Sequence, residues 1–123
     1  MASTFKRVAK ASVTASQNAG SADAIYTVPA GASSTALNSI IIGISLCNKT
    51  SSDITAGVYL SNYDGTNNAY IAKGVTVPAN TTLEIMQGNK LVVMNSGSAG
   101  DVIRVETNTS TSLDVVLSVL ENV

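Results

Sequence analysis

Residues 37 to 47 leave this chain little choice but a β-strand. Ile40, Ile42, Ile44 and Leu46 recur at every second position, and Ile41, Gly43, Ser45 and Cys47 fill the positions between them. A period of two sends successive side chains to opposite faces of an extended strand, whereas an amphipathic helix repeats every three to four residues. The run is expected at the centre of a sheet, with Ile40, Ile42, Ile44 and Leu46 on one face. Its second face is small and moderately apolar, and the expected cover is the N-terminal arm or a neighbouring subunit.

Other segments share the period. Ile54, Ala56, Val58 and Leu60 alternate with Thr55, Gly57, Tyr59 and Ser61, and Tyr70-Ile71-Ala72-Lys73 returns as a hairpin partner across a loop containing Asp64-Gly65. Leu83 and Ile85, then Leu91 to Met94, then Ile103 and Val105, and finally Leu113, Val115, Leu117 and Val119 complete the set. Two corners punctuate it. Thr27-Val28-Pro29-Ala30 and Thr76-Val77-Pro78-Ala79 are copies of one turn sequence with different flanks, as expected of two equivalent corners in one sandwich rather than of tandem repeats. Ser, Thr and Asn make 40 of the 123 residues, and aromatics only 4%. That excess suits turns and exposed strand faces, so helix content should be low. The fold class expected is all-β: an antiparallel β-sandwich or jelly roll of about eight strands, with a closed barrel as the alternative.

Lys6, Arg7 and Lys10 are the only charges in residues 1 to 22, and four basic residues face eight acidic ones beyond. The division expected is a flexible basic arm over 1–22, with a junction at Gln17 to Ser21, and a β-sandwich domain over 23–123. A nucleic-acid binder would show a basic face interleaved with aromatics. Here only the arm is positive, and Phe5 is its one aromatic, so nucleic acid is disfavoured as a partner. The N-terminus lacks the apolar core of a secretory signal, and no run approaches the roughly 18 apolar residues of a membrane span. Synthesis in the cytoplasm, with no membrane partner, is the expectation.

Little chemistry is on offer. The chain has no histidine, the usual base for Ser or Cys activation. Asp53, Asp64, Asp101 and Asp114 fall in or beside turns and read as solvated loop acids. Cys47 stands alone, which rules out a disulfide within one chain, and reads as a small buried hydrophobe. No enzyme, no metal and no cofactor is expected. Three tyrosines, Tyr59, Tyr63 and Tyr70, share one hairpin. Cross-strand packing is the favoured reading, and ligand or subunit contact the other, since sugar rings stack on such platforms.

The basic arm, Ile25-Tyr26-Thr27-Val28-Pro29-Ala30-Gly31, the hairpin ending in Tyr70-Ile71-Ala72-Lys73, the Gly100-Asp101 pair, and Ser112-Leu113-Asp114-Val115-Val116-Leu117-Ser118 together resemble small β-sandwich virion structural proteins of tailed bacteriophages. The likeness covers most of the chain, which departs from the pattern in its longer Ser- and Asn-rich loops. It implies a non-enzymatic virion protein made in the host cytoplasm. The first expectation is a capsid decoration or cement protein that docks on the particle through Phe5, Lys6, Arg7 and Lys10 and self-associates, preferably as a homotrimer. The alternatives are a neck or tail accessory protein, partnered by other virion proteins, or a receptor- or carbohydrate-binding module.

Overall fold

The computed structural model describes residues 3–15 and 22–121. They form nine strands: β1 (Thr4–Lys10), β2 (Asp23–Thr27), β3 (Leu37–Asn48), β4 (Ile54–Ser61), β5 (Ala69–Val77), β6 (Thr82–Glu84), β7 (Leu91–Asn95), β8 (Val102–Thr107) and β9 (Leu113–Glu121). The only helical turn among the described residues is the short 3-10 segment Ala32–Ser34.

Pairing builds two antiparallel sheets. One has the order β1-β9-β3-β6, with β7 also on β3, and the other the order β2-β8-β4-β5. β7 lies along Leu37 to Ile41 and β6 along Ser45 to Cys47, so the two share one edge of β3 end to end. The order has a simple origin. β1 lies on β9, β2 on β8, β3 on β6 and β7, and β4 on β5, so the chain runs out along one arm of a long hairpin and back along the other. Rolling that hairpin places β3 beside β9 and β4 beside β8. This is jelly-roll connectivity in an open sandwich.

Between the sheets lies an aliphatic core. Ile41, Ile44, Leu46, Val93, Leu113, Leu117 and Val119 come from one sheet, and Ile54, Val58, Val77, Ile103 and Val105 from the other. Each buried Val, Leu or Ile contributes about 1.5–3 kcal/mol relative to exposure.

The face assignment of β3 needs correction. Its pairing with β9 steps from Ile41↔Val119 to Gly43↔Ser118, so Ile42 is an extra residue and the phase inverts there. Ile41, Ile44 and Leu46 face the core, while Ile40 and Ile42 are half-buried on the other side. Glu84 occupies the space above the bulge: its Oε2 accepts the Ile44 N–H at 3.1 Å, and a Cβ on Gly43 would sit 2.8 Å from its Oε1. Cys47 is half-buried rather than in the core.

The N-terminal segment does not stand apart from the body. Thr4–Lys10 pairs with β9 from Thr4↔Glu121 to Lys10↔Val115, and Val13 is fully buried in the core. The backbone N–H groups of Ser12, Thr14 and Ala15 donate to Asp114 Oδ1, Asp23 Oδ2 and Ser110 Oγ. An edge of β9 offers a row of backbone partners that any side chains can satisfy, so a polar, basic composition conceals a strand there. The junction expected at Gln17 to Ser21 lies outside the described residues.

The two Thr-Val-Pro-Ala corners prove chemically equivalent. Asn95 Nδ2 donates to the Val28 carbonyl at 2.7 Å, and Asn48 Nδ2 donates to the Val77 and Pro78 carbonyls at 3.0 and 3.2 Å. Each corner is thus held by a buried asparagine at the end of a strand. Asp101 is likewise buried, contrary to a solvated loop acid. Its carboxylate accepts the Tyr63 and Met94 N–H groups, each at 2.8 Å, and its carbonyl accepts the Val28 N–H at 3.0 Å.

Asp114 behaves differently, since it is partly exposed. Lys49 Nζ at 2.9 Å, then the Ser12 N–H, hold its carboxyl below the ordinary range. A depressed folded pKa gives stability that is present above the unfolded value and lost as pH falls through the folded one. In Lys49→Met, an NMR titration should therefore find the Asp114 pKa higher than in the parent protein. Stability at neutral pH should change by less than about 1 kcal/mol, because the pair is exposed.

Candidate functional site

Two surfaces stand out, one on the outer face of each sheet. On the five-stranded sheet, register aligns Phe5 with Leu120, Leu120 with Ile40, and Ile40 with Val92, an apolar row crossing four strands. Their sequence neighbours Val119, Ile41 and Val93 are fully buried, so the row itself points outward. Phe5 is 77% exposed, Val92 57%, Met94 41% and Val116 40%, and these are the four exposed large hydrophobics among the described residues. All four lie on this face. Scattered exposed hydrophobics need no explanation, whereas a contiguous apolar patch marks a contact surface.

The basic residues expected to dock are divided by β1. Phe5 and Arg7 share the outer face, opposite Leu120 and Ser118. Lys6 and Lys10 alternate with them on the opposite face of this edge strand, in the phase of Val8, and Lys6 Nζ approaches Glu121 Oε2 at 3.8 Å. Glu121 also accepts a hydrogen bond from the buried Tyr26 hydroxyl; burial first, and this bond second, raise the Tyr26 phenol well above its ordinary range.

On the four-stranded sheet the structure brings together two of the three hairpin tyrosines. Tyr59 and Tyr70 are cross-strand partners whose rings meet edge to face at 5.1 Å between centroids. Lys73 Nζ lies 4.5 Å from the Tyr70 ring centre, a cation–π contact. Tyr63 is not part of this cluster. Its N–H is tied to Asp101, and its side chain lines a separate recess with Asn38, Met94 and Asn95.

Glu106 completes the cluster, and no pattern in the sequence marks it out. It projects from the outer face of β8, yet it is only 6% exposed. Tyr70 Oη donates to its Oε1 at 3.0 Å; loss of solvent around the ring first, then this bond, raise the Tyr70 phenol. Gly57 lets the carboxylate lie flat, since a Cβ there would come within 3.0 Å of Glu106 Cγ and 3.2 Å of the Ala72 carbonyl. Opposite Gly57, β5 carries the extra residue of a bulge: Ala56 pairs with Val75 but Val58 with Ala72, and Gly74 takes φ +61°. The bulge opens a hollow of about 240 Å³ beside Glu106, walled by Lys73, Gly74, Thr55, Thr107 and Asn108.

No family model and no curated protein matches the chain. Among solved structures, it is similar to the VP2 protein of the infectious bursal disease virus subviral particle at 15% identity and a TM-score of 0.29. It is similar to a chain of infectious bursal disease virus, Gt strain, at 14% identity and a TM-score of 0.27. Each alignment covers 97% of this chain and 41% of the other, so the chain spans about two fifths of their length.

Proposed function

We propose that the chain is a non-enzymatic virion structural protein of a bacteriophage, a capsid decoration protein that docks on the particle and self-associates. One observation carries this reading: every exposed large hydrophobic among the described residues lies on the outer face of one sheet, and the basic strand β1 forms that face's free edge. A contiguous apolar sheet face suits contact with another folded surface better than capture of a small ligand. The sequence likeness to phage virion proteins points the same way. Two of the segments that carry it meet in space, where the Val28 N–H donates to the Asp101 carbonyl.

In this reading Phe5 and Arg7 contribute to the contact face, and Lys6 and Lys10 attract an acidic lattice along its rim, with a homotrimer as the preferred assembly. Immunogold labelling of purified particles tests the assignment. Label spread over the head supports it, label confined to neck or tail moves the protein there, and absence of label overturns the virion assignment. The triple variant Lys6→Gln, Arg7→Gln, Lys10→Gln should attach to particles more weakly, with a thermal midpoint within a few degrees of the parent. Exposed edge charges add little to stability but steer association. Undiminished attachment would remove these residues from the docking surface.

A further inference from the structure

We propose that the hollow beside Glu106 binds a neutral polyhydroxylated ligand, a terminal sugar residue of a glycan. The inference does not depend on the virion assignment, because it concerns the opposite sheet.

Glu106 is a buried carboxylate with an incomplete set of partners. Oε1 accepts the Tyr70 hydroxyl, and among the described residues neither a second hydrogen bond nor an ion pair reaches Oε2. Oε2 keeps contact with solvent, since the buried side-chain polar atom without a partner among the described residues is Ser39 Oγ, and a carboxylate oxygen left to water is an acceptor open to a ligand hydroxyl. Arg104, two residues away on the same face, does not supply the missing partner. Its guanidinium is committed to Ser61 Oγ and the Ala22 carbonyl.

The walls select the ligand. Asn108 Oδ1 already accepts from the Thr55 N–H and Thr109 Oγ1, which leaves its amide group to donate. Lys73, on the opposite wall, is a second donor. Acceptor and donors therefore stand around one small space. An anion would meet Glu106, and a cation would meet Lys73. A vicinal pair of hydroxyls satisfies both at once, because each hydroxyl donates to a carboxylate while accepting from an N–H. The volume of about 240 Å³ is below the roughly 300–1,000 Å³ of pockets for drug-sized ligands and fits one ring, not an oligosaccharide. Two devices build the space: the bulge at Lys73 and Gly74, and the bare Cα of Gly57 over which Glu106 lies.

The test uses the full chain. Glycan-array binding is measured with labelled protein, and amide chemical shifts are followed by NMR as glucose, galactose, mannose and N-acetylglucosamine are added to tens of millimolar. Binding to glycans with neutral terminal hexoses is expected, with shifts concentrated at Lys73, Gly74 and Asn108. In Glu106→Gln the affinity should fall by about tenfold or more, since a bond to a charged acceptor is lost. Tyr70→Phe, which keeps the ring and frees Oε1, should still bind, and this separates ligand contact from loss of fold. Silence of the folded parent in both assays, preference for anionic glycans, or binding unaltered by Glu106→Gln would each overturn the proposal.

Discussion

Asn48→Ala should destabilise the protein by about 4 kcal/mol, a fall in thermal midpoint on the order of 15 °C for a domain of this size. The side chain is fully buried and bonded on both sides. Nδ2 donates to the carbonyls of Ser52, Val77 and Pro78, and Oδ1 accepts the N–H and the hydroxyl of Thr50. Truncation removes this donor from the Val77 and Pro78 carbonyls at the second corner. The Pro78 carbonyl keeps the Thr81 N–H and hydroxyl, so the cost falls on the Val77 carbonyl and on the Thr50 N–H and hydroxyl, which lose their Asn48 partner. Asn48→Asp should be worse at neutral pH, because it presents a carboxylate to three carbonyl oxygens. Asn89→Ala, at an exposed turn, should stay within about 0.5 kcal/mol of the parent. Denaturant melts of the three variants check the order, and an Asn48→Ala midpoint close to that of Asn89→Ala would remove the asparagine clasp from the account of this fold.

That clasp shows where the sequence could be read and where it could not. Alternation in β4, β8 and β9 reports faces correctly, because in those strands the core-facing residues keep one phase. In β3 the same alternation misleads. The isoleucines run through Ile40, Ile41 and Ile42 without a polar break, so nothing in residue type marks the position of the bulge, which depends on Glu84 from another strand. The N-terminal segment fails for a related reason. Strand pairing at an edge is made by backbone groups, and Thr4–Lys10 carries almost none of the apolar pattern that announces a strand. Repetition of Thr-Val-Pro-Ala did announce equivalent corners, yet their partners Asn48 and Asn95 are distant in sequence and indistinguishable there from the other asparagines.

The candidate sites divide along the same line. Tyr59 and Tyr70 were legible as cross-strand neighbours because hairpin register follows from the intervening turn. Tyr63, in the turn itself, obeys no such register and joins Asp101 instead. Glu106 could not be singled out, since its burial depends on a glycine in β4 and a bulge in β5. The apolar outer face emerges only when register sets Phe5, Leu120, Ile40 and Val92 side by side from four separate segments.

Gly100→Ala should cost at least about 3 kcal/mol and should be the most damaging glycine-to-alanine change among the described residues. The reason is steric, not conformational. A Cβ at this position would lie 2.2 Å from the Val28 carbonyl oxygen and 2.8 Å from Asn95 Nδ2. Neither neighbour can yield cheaply. The Val28 carbonyl is the acceptor of the Asn95 clasp, and the Val28 N–H is bound to the Asp101 carbonyl, so displacing the first corner breaks both bonds. Asp101 would be drawn along, and with it the N–H groups of Tyr63 and Met94 that its carboxylate satisfies. Gly65→Ala supplies the contrast. Gly65 takes φ +78° with nothing within 4 Å of the added carbon, so it loses only the left-handed preference of glycine, about 1 kcal/mol. Calorimetric midpoints of the two variants separate the effects. A Gly100→Ala midpoint no lower than that of Gly65→Ala would mean that the corner and the β7–β8 turn can move apart, and that the meeting of Val28 with Gly100 and Asp101 does not close the sandwich.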